Sequence, residues 1–194
     1  MRRMLLVLMI VILGVWGLTA CKPGLLPTEG AGKPKVTLER VELSRLGPWV
    51  DLPAPVITGL GFVFNVDNPS NYPIKLENFK FAVLFEAPGT NEYMTLSTAT
   101  TYDNIYFAPK TVSQYRVVEF LDSGGVWRAL GAPNAVKMQA LKLDPMELTK
   151  KWFTTIGSGD FPFGIKATEG MAVFSSEGVK GDFFVPFEGK FPKK

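Results

Sequence analysis

Histidine is absent from all 194 residues. Its absence removes the commonest general base near neutral pH, the usual serine and cysteine triads, and the commonest transition-metal ligand. Cysteine is nearly absent: Cys21 stands alone, so no internal disulfide forms. Structural zinc sites built from Cys and His are excluded with it. Asp and Glu are dispersed, with no spacing that gathers them into a catalytic pair. The residues therefore point away from catalysis, and no metal or cofactor is expected. A strong charge imbalance is lacking too. The formal charge is +3, and Arg2 and Arg3 fall in a leader expected to be removed, which leaves 19 basic against 18 acidic side chains. So balanced a chain has no electrostatic footprint for nucleic acid.

Apolar residues make up 46% of the chain, enough for a sizeable core, and 15 of them are Phe. Frequent aromatics, Gly and Pro suit short strands and turns better than a helical bundle. The amino terminus is different. Met1-Arg2-Arg3 is positive, Met4 to Trp16 is an apolar run, and Gly17-Leu18-Thr19-Ala20-Cys21 brings small residues. This is the layout of a secretory signal. The run falls short of the ~20 apolar residues a membrane-spanning helix needs. Leu18, Thr19, Ala20 and Cys21 also resemble the bacterial lipobox. That resemblance implies cleavage before Cys21 and acylation of the cysteine and the new amino terminus. Lys22, which is not Asp, resembles the outer-membrane sorting pattern of enterobacteria. The chain thus divides into a signal peptide over 1–20, a lipidated tether over 21–35 and a domain over 36–191. The tether holds three prolines and three glycines between Lys22 and Lys35, and polymer scaling gives it a span of about 20 Å.

Val36 to Leu43 reads as the opening strand, and Gly47 to Pro55 as a loop. From Val56 to Val66 the period is two. Val56, Thr58, Leu60, Phe62, Phe64 and Val66 share one face, with Ile57, Gly59, Gly61, Val63 and Asn65 on the other. Gly59 and Gly61 suggest a bulge or a close approach. Asp67-Asn68-Pro69-Ser70-Asn71-Tyr72-Pro73 then forms a corner. Each proline fixes its own φ and pushes the preceding residue toward extended backbone. A second alternating strand follows, with Phe79, Phe81, Val83 and Phe85 on its apolar face.

Asn68-Pro69-Ser70-Asn71-Tyr72-Pro73-Ile74, set between two such strands, resembles the water stress and hypersensitive response domain of the group 2 late embryogenesis abundant proteins. Asn68, Pro69, Asn71, Pro73 and Ile74 match its pattern, and Ser70 stands where Asn is usual. The resemblance implies a mainly β fold: an antiparallel β-sandwich of the fibronectin type III or immunoglobulin kind, with one short helix. It gives the motif a structural role. It also implies protection during water stress, through weak contacts with membranes or proteins.

The remaining order suits that fold. Thr101 to Phe107 reads as a short strand, Ala108-Pro109-Lys110 as a turn and Thr111 to Leu121 as a long strand. Asp122 to Leu143 reads as a connection with one helical turn near Val126. Asp144-Pro145-Met146-Glu147 starts a helix, with Asp as N-cap and Pro at the first position. Leu148, Trp152 and Ile156 line one stripe of it, and Gly157 stops it. Phe161 to Phe174 reads as a strand with Phe163, Ile165, Ala167, Met171 and Val173 in phase, and Glu169-Gly170 as a bulge. Ser175 to Gly178 reads as a hairpin turn, and Gly181 to Phe191 as the last strand. The expected partners are the membrane, through the lipid anchor, and an envelope protein or a lipid.

Overall fold

The computed structural model describes residues 32–49, 55–156, 161–177, 179 and 181–192. Among these, eight strands form two antiparallel sheets, and they make the expected β-sandwich. The strands are β1 Lys35–Leu46, β2 Ile57–Asn68, β3 Ile74–Glu86, β4 Tyr93–Thr101, β5 Ile105–Phe107, β6 Thr111–Asp122, β7 Ile165–Ser175 and β8 Phe183–Phe191. One sheet has the order β1-β2-β6; the other has β4-β3-β7-β8, with β5 also on β3.

Alternation in β2 and β3 builds the core. Leu60, Phe62, Phe64 and Val66 project from β2 and Phe79, Phe81, Val83 and Phe85 from β3, all fully buried. Their rings interlock edge to face. The Phe64 ring lies 4.9 Å from Phe79, 5.2 Å from Phe81 and 5.2 Å from Phe187, and Phe62 lies 5.0 Å from Phe81. Edge-to-face pairs at this separation add about 0.5–1.5 kcal/mol each beyond area burial.

The two strand glycines mark a close approach. A Cβ on Gly59 would lie 2.9 Å from the Phe120 ring, and one on Gly61 would lie 2.6 Å from the Arg116 guanidinium. These β6 side chains lie across the outer face of β2. The bulges fall in β1 instead, between Leu38 and Arg40 and between Leu43 and Arg45.

Three differences from the sequence reading have physical causes. Thr101 to Phe107 is not one strand: β4 ends at Thr101 and β5 spans only Ile105–Phe107. The Tyr115 hydroxyl, 2.6 Å from both Thr101 Oγ1 and Asp103 Oδ2, holds the bend between them. Second, Asp122 to Leu143 holds two further helices, α1 Ser123–Gly131 and α2 Ala135–Leu141, ahead of the expected one, α3 Pro145–Thr155. Asp122 caps α1, its Oδ1 accepting from the Gly125 N–H at 2.7 Å. A Cβ on Gly125 would sit 2.6 Å from Asp122 Oδ2, so the glycine pair makes room for a cap. Third, β7 changes phase. Ile165 and Ala167 face inward, but beyond the bulge Ala172 and Phe174 are buried while Met171 and Val173 turn outward. Glu169, at φ 52°, is the extra residue. A bulge places two residues opposite one, which inverts the alternation beyond it.

Helix α3 starts as its sequence dictates: Asp144 Oδ1 accepts from the N–H groups of Met146 and Glu147, both at 2.9 Å. Leu148, Trp152 and Ile156 are buried. Trp152 meets Phe85 edge-on at 5.4 Å and donates from Nε1 to the Glu86 carbonyl at 3.0 Å. The expected stop at Gly157 and part of the turn ending at Gly178 lie outside the described residues.

The corner joins the two sheets. Asn68 ends β2 and is fully buried. Its Nδ2 donates to the carbonyls of Tyr72 at 2.9 Å, Ala108 at 3.1 Å and Phe107 at 3.2 Å. Its Oδ1 accepts from Ser70 Oγ at 2.7 Å and from the Ser70 N–H at 3.2 Å. Ile74 is buried where β3 begins, while Asn71 and Pro73 are exposed. Asn68→Ala should therefore cost on the order of 3 kcal/mol, since orphaned buried groups cost about 1–3 kcal/mol each. Asn71→Ala should stay within about 0.5 kcal/mol, as exposed sites do. Urea unfolding of the two variants checks the contrast; equal losses would remove the distinction.

Candidate functional surfaces

The predicted site residues fall into two groups. Cys21 and the lipobox-like residues Leu18, Thr19 and Ala20 lie outside the described residues. Asn68, Pro69 and Ile74 come together at the corner, whereas Asn71 and Pro73 turn to solvent. Lys35, where the domain begins, pairs with Asp67 beside that corner. The chain thus enters the sandwich at the corner end. β1 carries twelve residues away from it, a length of about 40 Å.

At the far end lies a cavity of about 300 Å³ between the turn after β3, the loop before β7 and the end of β8. Phe161, Pro162 and Phe163 form one wall, and Glu86 and Lys190 bring its charge. Glu86 acts as a brace. Its Oε2 accepts from the Gly164 N–H at 2.8 Å and from the Tyr93 hydroxyl at 3.3 Å. A Cβ on Gly164 would lie 2.5 Å from that oxygen, so only glycine lets the loop close on it. Lys166 Nζ sits 3.7 Å over the Tyr93 ring, and Lys190 Nζ lies 5.8 Å from it. Burial raises the pKa of the Tyr93 hydroxyl; Lys190 opposes that shift and Glu86 adds to it. Both polar atoms facing the brace are already bound, so the arrangement fixes three segments and leaves Lys190 as the cavity's cation. The five residues come from strands and loops far apart in sequence, and no local spacing announces them.

The side of the sandwich between β6 and β4 carries a different group. Glu119 is half-buried on β6, opposite Leu60. Burial raises its pKa, with the Ser97 hydroxyl pulling the other way, and no ion pair reaches it among the described residues. No group of three or more His, Cys, Asp or Glu comes together among those residues. No helix of the described residues is long and apolar enough to cross a membrane.

Comparison with known proteins gives fold likenesses only. No family model and no curated protein matches the chain. The solution structure of AT1g01470 from Arabidopsis thaliana is similar over 89% of this chain and 85% of its own, at 13% identity and a TM-score of 0.44. A crystal structure of a protein from Archaeoglobus fulgidus covers 81% of this chain and 98% of its own, at 12% identity and a TM-score of 0.38. The X-ray structure of Northeast Structural Genomics Consortium target SoR45 covers 85% and 90%, at 13% identity and a TM-score of 0.38. Likeness this remote carries no statement about activity or partners.

Glu119 gives a pH signature whose sign follows from its raised pKa. A carboxyl with a raised folded-state pKa contributes stability that is present at pH below its unfolded value and lost as pH rises. Glu119→Gln should therefore raise the melting temperature at pH 7. The gain should vanish below about pH 4, the ordinary Glu value, where wild type is protonated in both states. Calorimetric scans across that range check it; a gain that is constant with pH would refute the assignment.

Proposed function

We propose that this chain is a non-catalytic lipoprotein of the bacterial cell envelope, anchored through Cys21, with a protective role in water or desiccation stress. The observation that carries the reading is the leader. A positive start, an apolar run and a lipobox-like ending converge on the chain's only cysteine. An acyl chain adds about 0.8 kcal/mol of membrane affinity per buried methylene, so two or three chains give a stable anchor. In a Gram-negative cell, Lys22 directs it to the outer membrane, with the domain facing the periplasm. The protective role rests on the resemblance of Asn68 to Ile74 to the water stress and hypersensitive response domain. Its physical form is weak, non-catalytic contact with membranes or unfolding proteins as water is lost. The second reading is an envelope accessory lipoprotein with a defined protein or lipid partner, and the cavity walled by Phe161 and Phe163 favours it.

Cys21→Ala should move the protein from the membrane fraction to the soluble fraction of the envelope; a variant that stays membrane-bound at full length would refute the anchor. A deletion strain should lose viability on drying and regain it with the wild-type gene. Unchanged survival would refute the protective role and leave the accessory reading, for which crosslinking should return one stoichiometric partner.

A further inference from the structure

Three of the four lateral edges of the sandwich are blunted, each by a different device. β1 carries two bulges and packs against β8 so closely that a Cβ on Gly189 would collide with the Leu38 side chain. β8 carries Pro186, which has no N–H to offer a further strand. β4 is capped by a side chain. Asn134 Oδ1 accepts from the Thr95 N–H at 3.1 Å and its Nδ2 donates to the Thr95 carbonyl at 2.8 Å, so one amide occupies the place of a neighbouring strand. Lys137 Nζ adds a bond to the Tyr93 carbonyl at 3.0 Å.

β6 has none of these. It pairs with β2 over twelve consecutive positions, Thr111 to Asp122, without a register shift and without proline. On its other edge, no hydrogen bond reaches the backbone of Val112 to Leu121 from any described residue. A long, flat, unpaired edge is a template for another strand.

The inner side of this edge also specifies charge. Glu119 is half-buried there without an ion pair, and Asp103 is held nearby by the Tyr115 hydroxyl at 2.6 Å. Tyr115 and Glu119 point inward four residues apart on β6, a spacing of about 13 Å. An added antiparallel strand places its inward side chains about 4.5–5.5 Å from those of β6. Residues four apart on it would face Glu119 and the Tyr115–Asp103 pair together. Arg116, the cation of this strand, points to the outer face and is taken by Glu42 at 3.1 Å.

We propose that the free edge of β6 is a docking site for an extended protein segment that adds a strand to the three-stranded sheet and carries lysine or arginine at positions i and i+4, opposite Glu119 and Asp103. A second copy of this chain does not fit that pattern, because antiparallel pairing of two β6 strands sets Glu119 against an uncharged inward residue or another Glu119. The site is independent of acylation at Cys21.

The test uses the full-length protein in detergent micelles and the peptide acetyl-Thr-Lys-Val-Thr-Val-Lys-Thr-amide, followed by amide NMR. The expected result is saturable binding with shifts centred on Gln114 to Phe120. Affinity should fall at least tenfold with Glu119→Gln and with Asp103→Asn, each variant keeping the unperturbed spectrum of a folded sandwich. It should also fall at least tenfold when the two lysines become glutamates or the two valine amides are N-methylated. Four results would overturn the proposal: no binding at millimolar peptide, shifts elsewhere, affinity untouched by N-methylation, or affinity untouched by both carboxylate variants. Self-association that shifts the β6 amides would overturn it too, by placing a second copy on the edge.

Discussion

One side-chain amide makes the two sheets a single object. Asn68 ends a strand of one sheet and donates to carbonyls that close a strand of the other. At that corner the backbone leaves both ladders at once, and two prolines cannot donate at all. A buried carbonyl without a donor costs about 1–3 kcal/mol. The corner can therefore be buried only if a side chain replaces the lost ladder. Asn does this because it presents two donors and an acceptor on a short stem. Ser70 completes the arrangement with one hydroxyl. The aromatic layer above depends on the result, because Phe62 and Phe64 meet Phe79 and Phe81 only if the two strands leave the corner in register.

That dependence explains which parts of the fold the sequence made legible. Where one face is buried along a whole strand, alternation is enforced residue by residue, and β2 and β3 could be read directly. Local chemistry was equally readable at Asp144 and Pro145, because a cap and its helix are neighbours in sequence. Reading failed where a distant residue decides. Met171 and Val173 continue the pattern of Ile165 and Ala167 on paper, and a single residue at Glu169 reverses them. Gly124 and Gly125 look like a linker until the Asp122 carboxylate is seen to need their space. Tyr115 breaks the strand near Asp103 from another sheet entirely. Asn134 lies in a stretch that reads as a connection, yet its amide is spent on the edge of β4.

The surfaces fared differently. The lipobox-like stretch from Leu18 to Cys21 is a linear pattern, so it is read from sequence or not at all. The cavity and the β6 edge are products of assembly. Glu86, Tyr93, Gly164 and Lys190 meet because β3, β4, β7 and β8 all end at the same pole of the sandwich. Polar residues there are mutually engaged, which favours a role in holding loops over a role in chemistry. The β6 edge stands out only when compared with the other three, each of which carries a device that β6 lacks. Its distinction is relational, and no window of sequence contains it.

The strand order has a kinetic consequence. β1 and β2 are neighbours along the chain, but β6 joins β2 only after β3, β4 and β5 have passed. The central pair β3 and β7 brings together residues separated by nearly half the chain, Phe79 opposite Ala172. Phe187, which touches Phe64, Phe79 and Phe81, comes almost last. Pairing of this kind pays a large loop-closure entropy before any core contact repays it, and such topologies fold in milliseconds to seconds rather than microseconds. The aromatic layer cannot close on a partial chain. Until β8 is available, the polypeptide has no complete sandwich to collapse into.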